Sequence, residues 1–304
     1  MTSTSLKSAF LSPNAAGSVW MIAAMAAFAL EDAFVKRAAL HLPVSEVLLL
    51  FGAGGALLFW GLATLNRESV FNRDALSRVM QIRFCFELAG RLFYVLALAL
   101  TPLSSTTAIL QAAPIFVVLG AALFFGETVG WRRWTAIVIG LIGVLIVLRP
   151  AGDSFSLLSL LAVIGMLGFS GRDLASRAAP ASLSTNLLGF YGFLTIIIAG
   201  ALFGAWDRSP LVMPSSPSLL ALAAAVGCGV FAYSALMKAM RTGEVASVTP
   251  FRYSRLLFGV LLGVVWFGET VDLQMLIGCG VIVGSGLFIL WRGNKAKRIK
   301  TPRG

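Results

Sequence analysis

Three ionisable side chains, Arg83, Glu87 and Arg91, recur at i, i+4 and i+8 within a run that is otherwise apolar. On a helix they share one face, and Arg91 lies ~12 Å beyond Arg83 at 1.5 Å per residue. Further along, Arg252 and Arg255 flank Tyr253 in a second apolar run. An ionised group inside a membrane span costs about 2.5 kcal/mol or more, so each such residue is a functional candidate by default. The chemistry on offer is ion pairing and hydrogen bonding to a charged solute, with Glu87 able to exchange its arginine for a proton or for that solute. Glu31 and Asp32 in the first apolar run, and Asp173 in the sixth, are further candidates for proton coupling or gating. Asp32 with Lys36, and Asp173 with Arg177, are spaced as i, i+4 pairs. Gln111, Tyr94 and Tyr253 are the polar and aromatic candidates beside these charges. Substrate binding is therefore expected at Arg91, Arg252, Arg255, Tyr253, Gln111 and Tyr94.

Other chemistries lack their parts. The single histidine, His41, and three isolated cysteines, Cys85, Cys228 and Cys279, offer no metal-ligand spacing. Ser104, Ser105, Ser170 and Ser247 have no histidine base in their helices, which leaves a hydrolase only an unusual Ser–Lys pair with Lys238. No cofactor and no metal are expected.

The elements that position these side chains follow from composition. The 304 residues are 58% hydrophobic and 12% charged, with a mean hydropathy of +0.90; a soluble domain carries about 25% charged residues. The net charge of +11 is dispersed between apolar runs, whereas a nucleic-acid binder gathers its bases on one solvated face. Unbroken runs near the ~20 residues of a spanning helix exclude a transmembrane barrel with its alternating pattern. Ten spans are read, at 17–36, 44–64, 83–100, 104–124, 131–149, 155–177, 184–206, 217–238, 245–267 and 271–291. Seventeen of the 24 Lys/Arg then fall on one side, against Lys36, Arg37, Arg149 and Arg208 on the other. Basic loops stay cytoplasmic, so both termini are expected inside. The seven tryptophans lie near span ends, as in an aromatic belt.

A shift of 142 positions lays Phe125-Gly126-Glu127-Thr128-Val129 on Phe267-Gly268-Glu269-Thr270-Val271. Near the start, a shift of 141 lays Asp32 and Lys36 on Asp173 and Arg177. Five spans separate equivalent points, an odd number, so the halves run in opposite senses. Such inverted repeats are a hallmark of secondary transporters. Glu127 and Glu269 precede helix starts and can stabilise the positive ends of the fifth and tenth spans. The arginines of the ninth span correspond to Leu110 and Ala113 and so break the symmetry, as a ligand site has reason to do.

The chain resembles the EamA group of the drug/metabolite transporter superfamily. The resemblance rests on Ala113-Pro114-Ile115-Phe116, Phe125-Gly126-Glu127, Arg133-Trp134-Thr135-Ala136 with Gly140 and Gly143, Val147-Leu148-Arg149-Pro150 and Phe267-Gly268-Glu269. In the second copy Leu256 stands where the first has Pro114, and its proline, Pro250, comes six residues earlier. The resemblance implies an all-α fold of ten transmembrane helices in a 5+5 inverted repeat: an N-terminal segment 1–16, repeats 17–150 and 151–292, and a basic tail 293–304. It implies alternating-access transport of a small organic metabolite across the cytoplasmic membrane, and the arginines within the spans lead to the expectation that this metabolite is amphoteric or anionic. The stretch Pro250 to Phe258 resembles EamA members that carry riboflavin or S-adenosylmethionine. The partners expected are that metabolite, the lipid bilayer and protons as a coupling ion, with no nucleic acid, in a monomer or homodimer. A membrane enzyme or channel on the same bundle is the alternative.

Overall fold

The computed structural model describes residues 13–124, 130–148, 156–177, 180, 182–242 and 249–300. The Phe125–Val129 motif, Arg149-Pro150 and the side chain of Arg177 lie outside the described residues. The described chain is all-α. Eleven helices run in order: α1 (Pro13–Ala39), α2 (Val44–Leu65), α3 (Arg78–Leu100), α4 (Leu103–Leu110), α5 (Ala113–Phe124), α6 (Trp131–Leu148), α7 (Ser159–Arg177), α8 (Thr185–Asp207), α9 (Ser216–Thr242), α10 (Ser254–Phe267) and α11 (Leu273–Lys300). The end of the bundle holding loop 66–77 is termed basal, and the end where α3 passes to α4 through Thr101-Pro102 apical.

Helix ends fall where the local chemistry stops or starts a helix. Pro43 and Pro102 stand in extended conformation immediately before α2 and α4, where a missing N–H loses nothing. The Ser184 hydroxyl accepts from the Leu187 N–H at 3.2 Å and caps α8. The span expected over 104–124 is broken: turn residues Gln111 and Ala112 separate α4 from α5. Pro114 accounts for the break, since it supplies no N–H to the carbonyl of Leu110 four residues back. In the second half a 3-10 turn, Thr249–Tyr253, leads into α10 in the same way.

Packing follows the repeat. In chain order α1, α2, α3, α4/α5 and α6 correspond to α7, α8, α9, the 3-10 turn with α10, and α11. The main contacts join α1 with α9, α3 with α7, α2 with α8, α6 with α11, α4 with α10, α1 with α10, and α4 and α5 with α7. Exchanging the halves maps this set onto itself, which is what a two-fold relation requires. Among the described residues, five segments are apolar and long enough to cross a membrane unaided: α1, α2, α4 with α5, α8 and α9. By contrast α3 and α7 carry Arg83, Glu87, Arg91, Arg172 and Asp173, so they need partners for their charges.

Small residues let the charged helices meet. An added Cβ on Gly168 would lie 2.4 Å from the backbone N and Cα of Gly90, so α7 and α3 cross backbone on backbone. On either side of this crossing Gly165 packs on Tyr94 and Gly171 on Phe86. At the apical end, Gly268 ends α10 in the left-handed region at φ 63°, a conformation glycine adopts without cost. This turns the Glu269 carboxylate onto the start of α4, where it accepts from Leu103 N at 2.6 Å, Ser104 N at 2.9 Å and Ser104 Oγ at 2.7 Å. The expectation that Glu269 serves the helix following it is thereby corrected: that end is held by Asp272, whose Oδ1 accepts from Met275 N at 2.8 Å.

Gly168→Ala therefore tests the crossing. The methyl meets backbone, which cannot rotate aside, so a loss of about 1–3 kcal/mol is expected, read as a lowered thermal midpoint in detergent. Gly61→Ala on α2, where nothing lies within 4 Å of the added carbon, should leave the midpoint unchanged or raise it.

Candidate substrate site

Two ionic clusters lie one above the other along α3. In the upper cluster Glu31 and Asp32 of α1 are almost fully buried. Arg91 Nη1 meets Glu31 Oε1 at 3.1 Å, and Arg255 Nη2 meets Asp32 Oδ2 at 2.6 Å. The Tyr94 hydroxyl also donates to Asp32 Oδ2, at 2.9 Å. Aromatic faces complete the shell. The Arg91 guanidinium lies 5.4 Å from the Phe169 ring centre and 6.0 Å from that of Phe51. The Arg255 guanidinium lies 5.0 Å from Phe28 and 5.9 Å from Tyr94. Three buried polar atoms of this cluster have no hydrogen-bond partner among the described residues: Glu31 Oε2, Arg91 Nε and Arg255 Nε.

The lower, basal cluster joins α3, α7 and the turn before α10. Glu87 is held by both oxygens, with Oε1 3.2 Å from Arg172 Nη1 and Oε2 3.4 Å from Arg83 Nη2. Arg172 Nη2 also reaches Asp173 Oδ1 at 2.8 Å. Arg252 Nη2 lies 3.6 Å from Asp173 Oδ2. Arg83 Nε donates to Ser176 Oγ at 2.9 Å. Exposure is uneven within each cluster: in the lower one the side chains of Arg252 and Asp173 are 33% and 26% exposed against 6% and 4% for Arg83 and Glu87, and in the upper one those of Arg91 and Arg255 are 16% and 15% exposed against 3% and 2% for Glu31 and Asp32. At the apical end Lys36 is buried and donates to the Leu98 and Thr101 carbonyls at 3.0 and 2.5 Å.

Comparison with known proteins identifies the architecture. The model of the EamA-like transporter family matches residues 15–149 and again 157–291. The chain belongs to the EamA-like transporter family. It is 28% identical over 291 residues to a riboflavin transporter of Vibrio cholerae, covering 93% of this chain and 95% of the relative. Over 213 residues it is 24% identical to an S-adenosylmethionine uptake transporter of Rickettsia conorii, 69% of this chain and 71% of that one. Over 275 residues it is 27% identical to a pseudopaline exporter of Pseudomonas aeruginosa, 88% and 93%. A protein of known crystal structure shares the fold at a TM-score of 0.62 and 20% identity, over 90% of this chain and 98% of its own. The chain is thus a multi-pass inner-membrane metabolite transporter, of a family of transporters and not of enzymes.

Within this EamA fold the residues singled out by sequence divide three ways. Glu31, Asp32, Arg91, Tyr94 and Arg255 converge in the upper cluster; Glu87, Asp173 and Arg252 converge in the lower one. Tyr253 and Gln111 stand apart from both. Tyr253 points its hydroxyl at Gly286 on α11, where an added Cβ would come within 1.5 Å of it. Gln111 Nε2 donates to the Arg252 carbonyl at 3.2 Å, bracing the broken helix against its counterpart. The expected Asp32–Lys36 pair does not form, because the neighbouring helices supply Arg255 to the acid and the end of α3 to the lysine. Arg172 is the residue sequence reasoning missed. Its proximity to the basic end of α7 makes it look like a topology charge, although its i+4 spacing from Gly168 already put it on the close-packed face.

The pairing carries a stability consequence. Arg255→Leu leaves Asp32 buried with only Tyr94, so a loss of about 3–5 kcal/mol is expected, whereas Asp32→Leu with Arg255→Leu should recover most of it. Thermal unfolding of the two variants in detergent checks this, and equal losses would show that the pair is not coupled.

Proposed function

We propose that the chain is an alternating-access carrier for a small amphoteric or anionic metabolite bound between the two clusters. The observation that carries this reading is the upper cluster: two arginines whose Nε donors are unpartnered, buried among Phe28, Phe51, Tyr94 and Phe169. A buried donor left unmade costs about 1–3 kcal/mol, so a solute that accepts from it is bound with a corresponding gain. The aromatic faces suit a solute with a flat ring, and the acids beside the arginines suit one that also carries a cation. An adenosyl-amino-acid-like solute meets both descriptions and a flavin-like solute the first, and relatives named for riboflavin and S-adenosylmethionine favour solutes of this kind.

The partial exposure of Arg252 and Asp173, together with the apical closure by Glu269 and Lys36, supports a state open at the basal end. In this reading ten spans place the basal end in the cytoplasm, with both termini inside and the repeats meeting near residue 150. Transport requires the apical bonds of Glu269 to part while the basal cluster closes, one half rocking against the other.

Reconstituted protein should exchange riboflavin or S-adenosylmethionine by saturable counterflow. A non-saturating flux would indicate a channel, and a chemically altered solute an enzyme. Arg255→Lys keeps a cation beside Asp32 but loses the Nε donor, so the solute that binds should bind roughly 10- to 150-fold more weakly, with little change in thermal midpoint. Unchanged affinity removes Arg255 from the site.

Topology is tested separately. In a background with Cys85, Cys228 and Cys279 replaced by serine, Arg132→Cys and Ser209→Cys should label from opposite sides of the membrane. Labelling from the same side overturns the ten-span arrangement.

A further inference from the structure

Of the acids in the two clusters, Glu31 is the one with a fully buried carboxylate oxygen that has no hydrogen-bond partner among the described residues. Its Oε1 meets Arg91, while Oε2 has no partner among the described residues although the residue is only 2% exposed. The groups that face it are Asp32 on the same helix, Arg91 and Tyr94 on α3, Arg255 on α10 and Cys228 on α9. Of these cations Arg255 is taken up by Asp32 at 2.6 Å, so Glu31 depends on Arg91 alone. Gly229 leaves the space for this: an added Cβ there would lie 3.2 Å from Glu31 Oε2. Glu87 is the opposite case. Each of its oxygens meets a separate arginine, Arg172 and Arg83. The expectation from sequence alone, that Glu87 is the first choice for proton exchange, is thereby displaced.

A buried carboxylate with one free oxygen can satisfy itself in two ways: by a further donor or by a proton of its own. We propose that Glu31 is the proton-binding group of the carrier, and that a proton on Glu31 and an acceptor edge of the solute on Arg91 are bound together. Protonation neutralises the Glu31 carboxylate and frees the Arg91 Nη1 that it occupies. Arg91 can then present both that donor and its unpartnered Nε to a carboxylate or other acceptor edge on the solute. Deprotonation returns Glu31 to Arg91 and displaces the solute. One proton is gained and one released per cycle, and no other co-reactant is needed.

The coupling part rests on the carrier reading above; the proton site does not, so the two are measured apart. First, infrared difference spectra of purified protein in detergent, without any solute, are recorded across the neutral pH range. Wild type should show a protonated-carboxyl C=O band that shifts in D2O, that Glu31→Gln abolishes and that Glu87→Gln retains. A band that survives in Glu31→Gln, or that disappears in Glu87→Gln, overturns the proposal. If Glu31→Gln fails to fold, Glu31→Asp serves in its place: the band must move, and an unmoved band overturns the assignment. Second, proteoliposomes are tested with riboflavin and with S-adenosylmethionine. For one coupled proton, wild type should accumulate the transported solute up to about tenfold per pH unit imposed. Glu31→Gln should lose this accumulation while retaining counterflow at equal pH. Wild-type counterflow indifferent to the gradient overturns the coupling and leaves the carrier reading intact. A titrating Glu31 band with no flux of either solute does the reverse, supporting the proton site and counting against the two solutes tested.

Discussion

Gly168 and Gly90 bring the backbones of α7 and α3 into direct contact, and the pairing of Arg172 with Glu87 in the lower cluster depends on that contact. Lipid supplies no water to a buried ion, so each guanidinium and carboxylate needs a protein partner within hydrogen-bond reach. Side chains on neighbouring helices reach one another when the axes are close, and small residues at the crossing set that distance. Arg172 lies about 6 Å along α7 from Gly168, and Glu87 about 4.5 Å along α3 from Gly90, both toward the basal end. Their 3.2 Å contact is a direct product of the crossing. On the other side of it, Tyr94 packs on Gly165 and delivers its hydroxyl to Asp32.

The duplicated fold is used asymmetrically. The first half supplies Glu31, Asp32, Glu87 and Arg91, and the second supplies Asp173, Arg172, Arg252 and Arg255. The positions matching Arg252 and Arg255 in the first half are Leu110 and Ala113, which are apolar and sit at the break between α4 and α5. One broken helix thus carries cations into the centre while its counterpart offers Gln111, which grips the Arg252 backbone. Scaffold contacts such as α2 on α8 and α6 on α11 keep the two-fold pattern. The polar centre departs from it, which is the distribution expected when a symmetric frame surrounds an asymmetric ligand.

At the apical end the second half reaches across to the first. Glu269 uses both oxygens on α4, and Gly263 is the residue that leaves it room, since an added Cβ there would lie 2.5 Å from Oε2. The carboxylate satisfies N–H groups that the start of a helix otherwise leaves bare. Lys36 does the complementary work on the carbonyls at the end of α3, with its ammonium 5.3 Å from the Phe267 ring centre. Anion at a helix start and cation at a helix end follow the sign of the helix dipole.

Much of this was legible without coordinates. Composition and run length determined an all-helical membrane protein, and the repeated Phe-Gly-Glu-Thr-Val determined the duplication. The cost of burying charge then singled out the acids of α1 and the arginines near residues 83–91 and 252–255. These are properties of single segments: periodicity tells which residues share a face of one helix. Only the tertiary structure decided the partners. Asp32 takes Arg255 and Tyr94 and not the nearer Lys36; Glu269 caps α4 and not its own following helix; Arg172 turns inward although its place in the chain suggests a loop cation. The physical reason is common to all three. Partner choice depends on the rotation of each helix about its axis and on the height at which it crosses the next. Both are set by the sum of packing contacts across the bundle, here above all by where glycine lets two backbones touch.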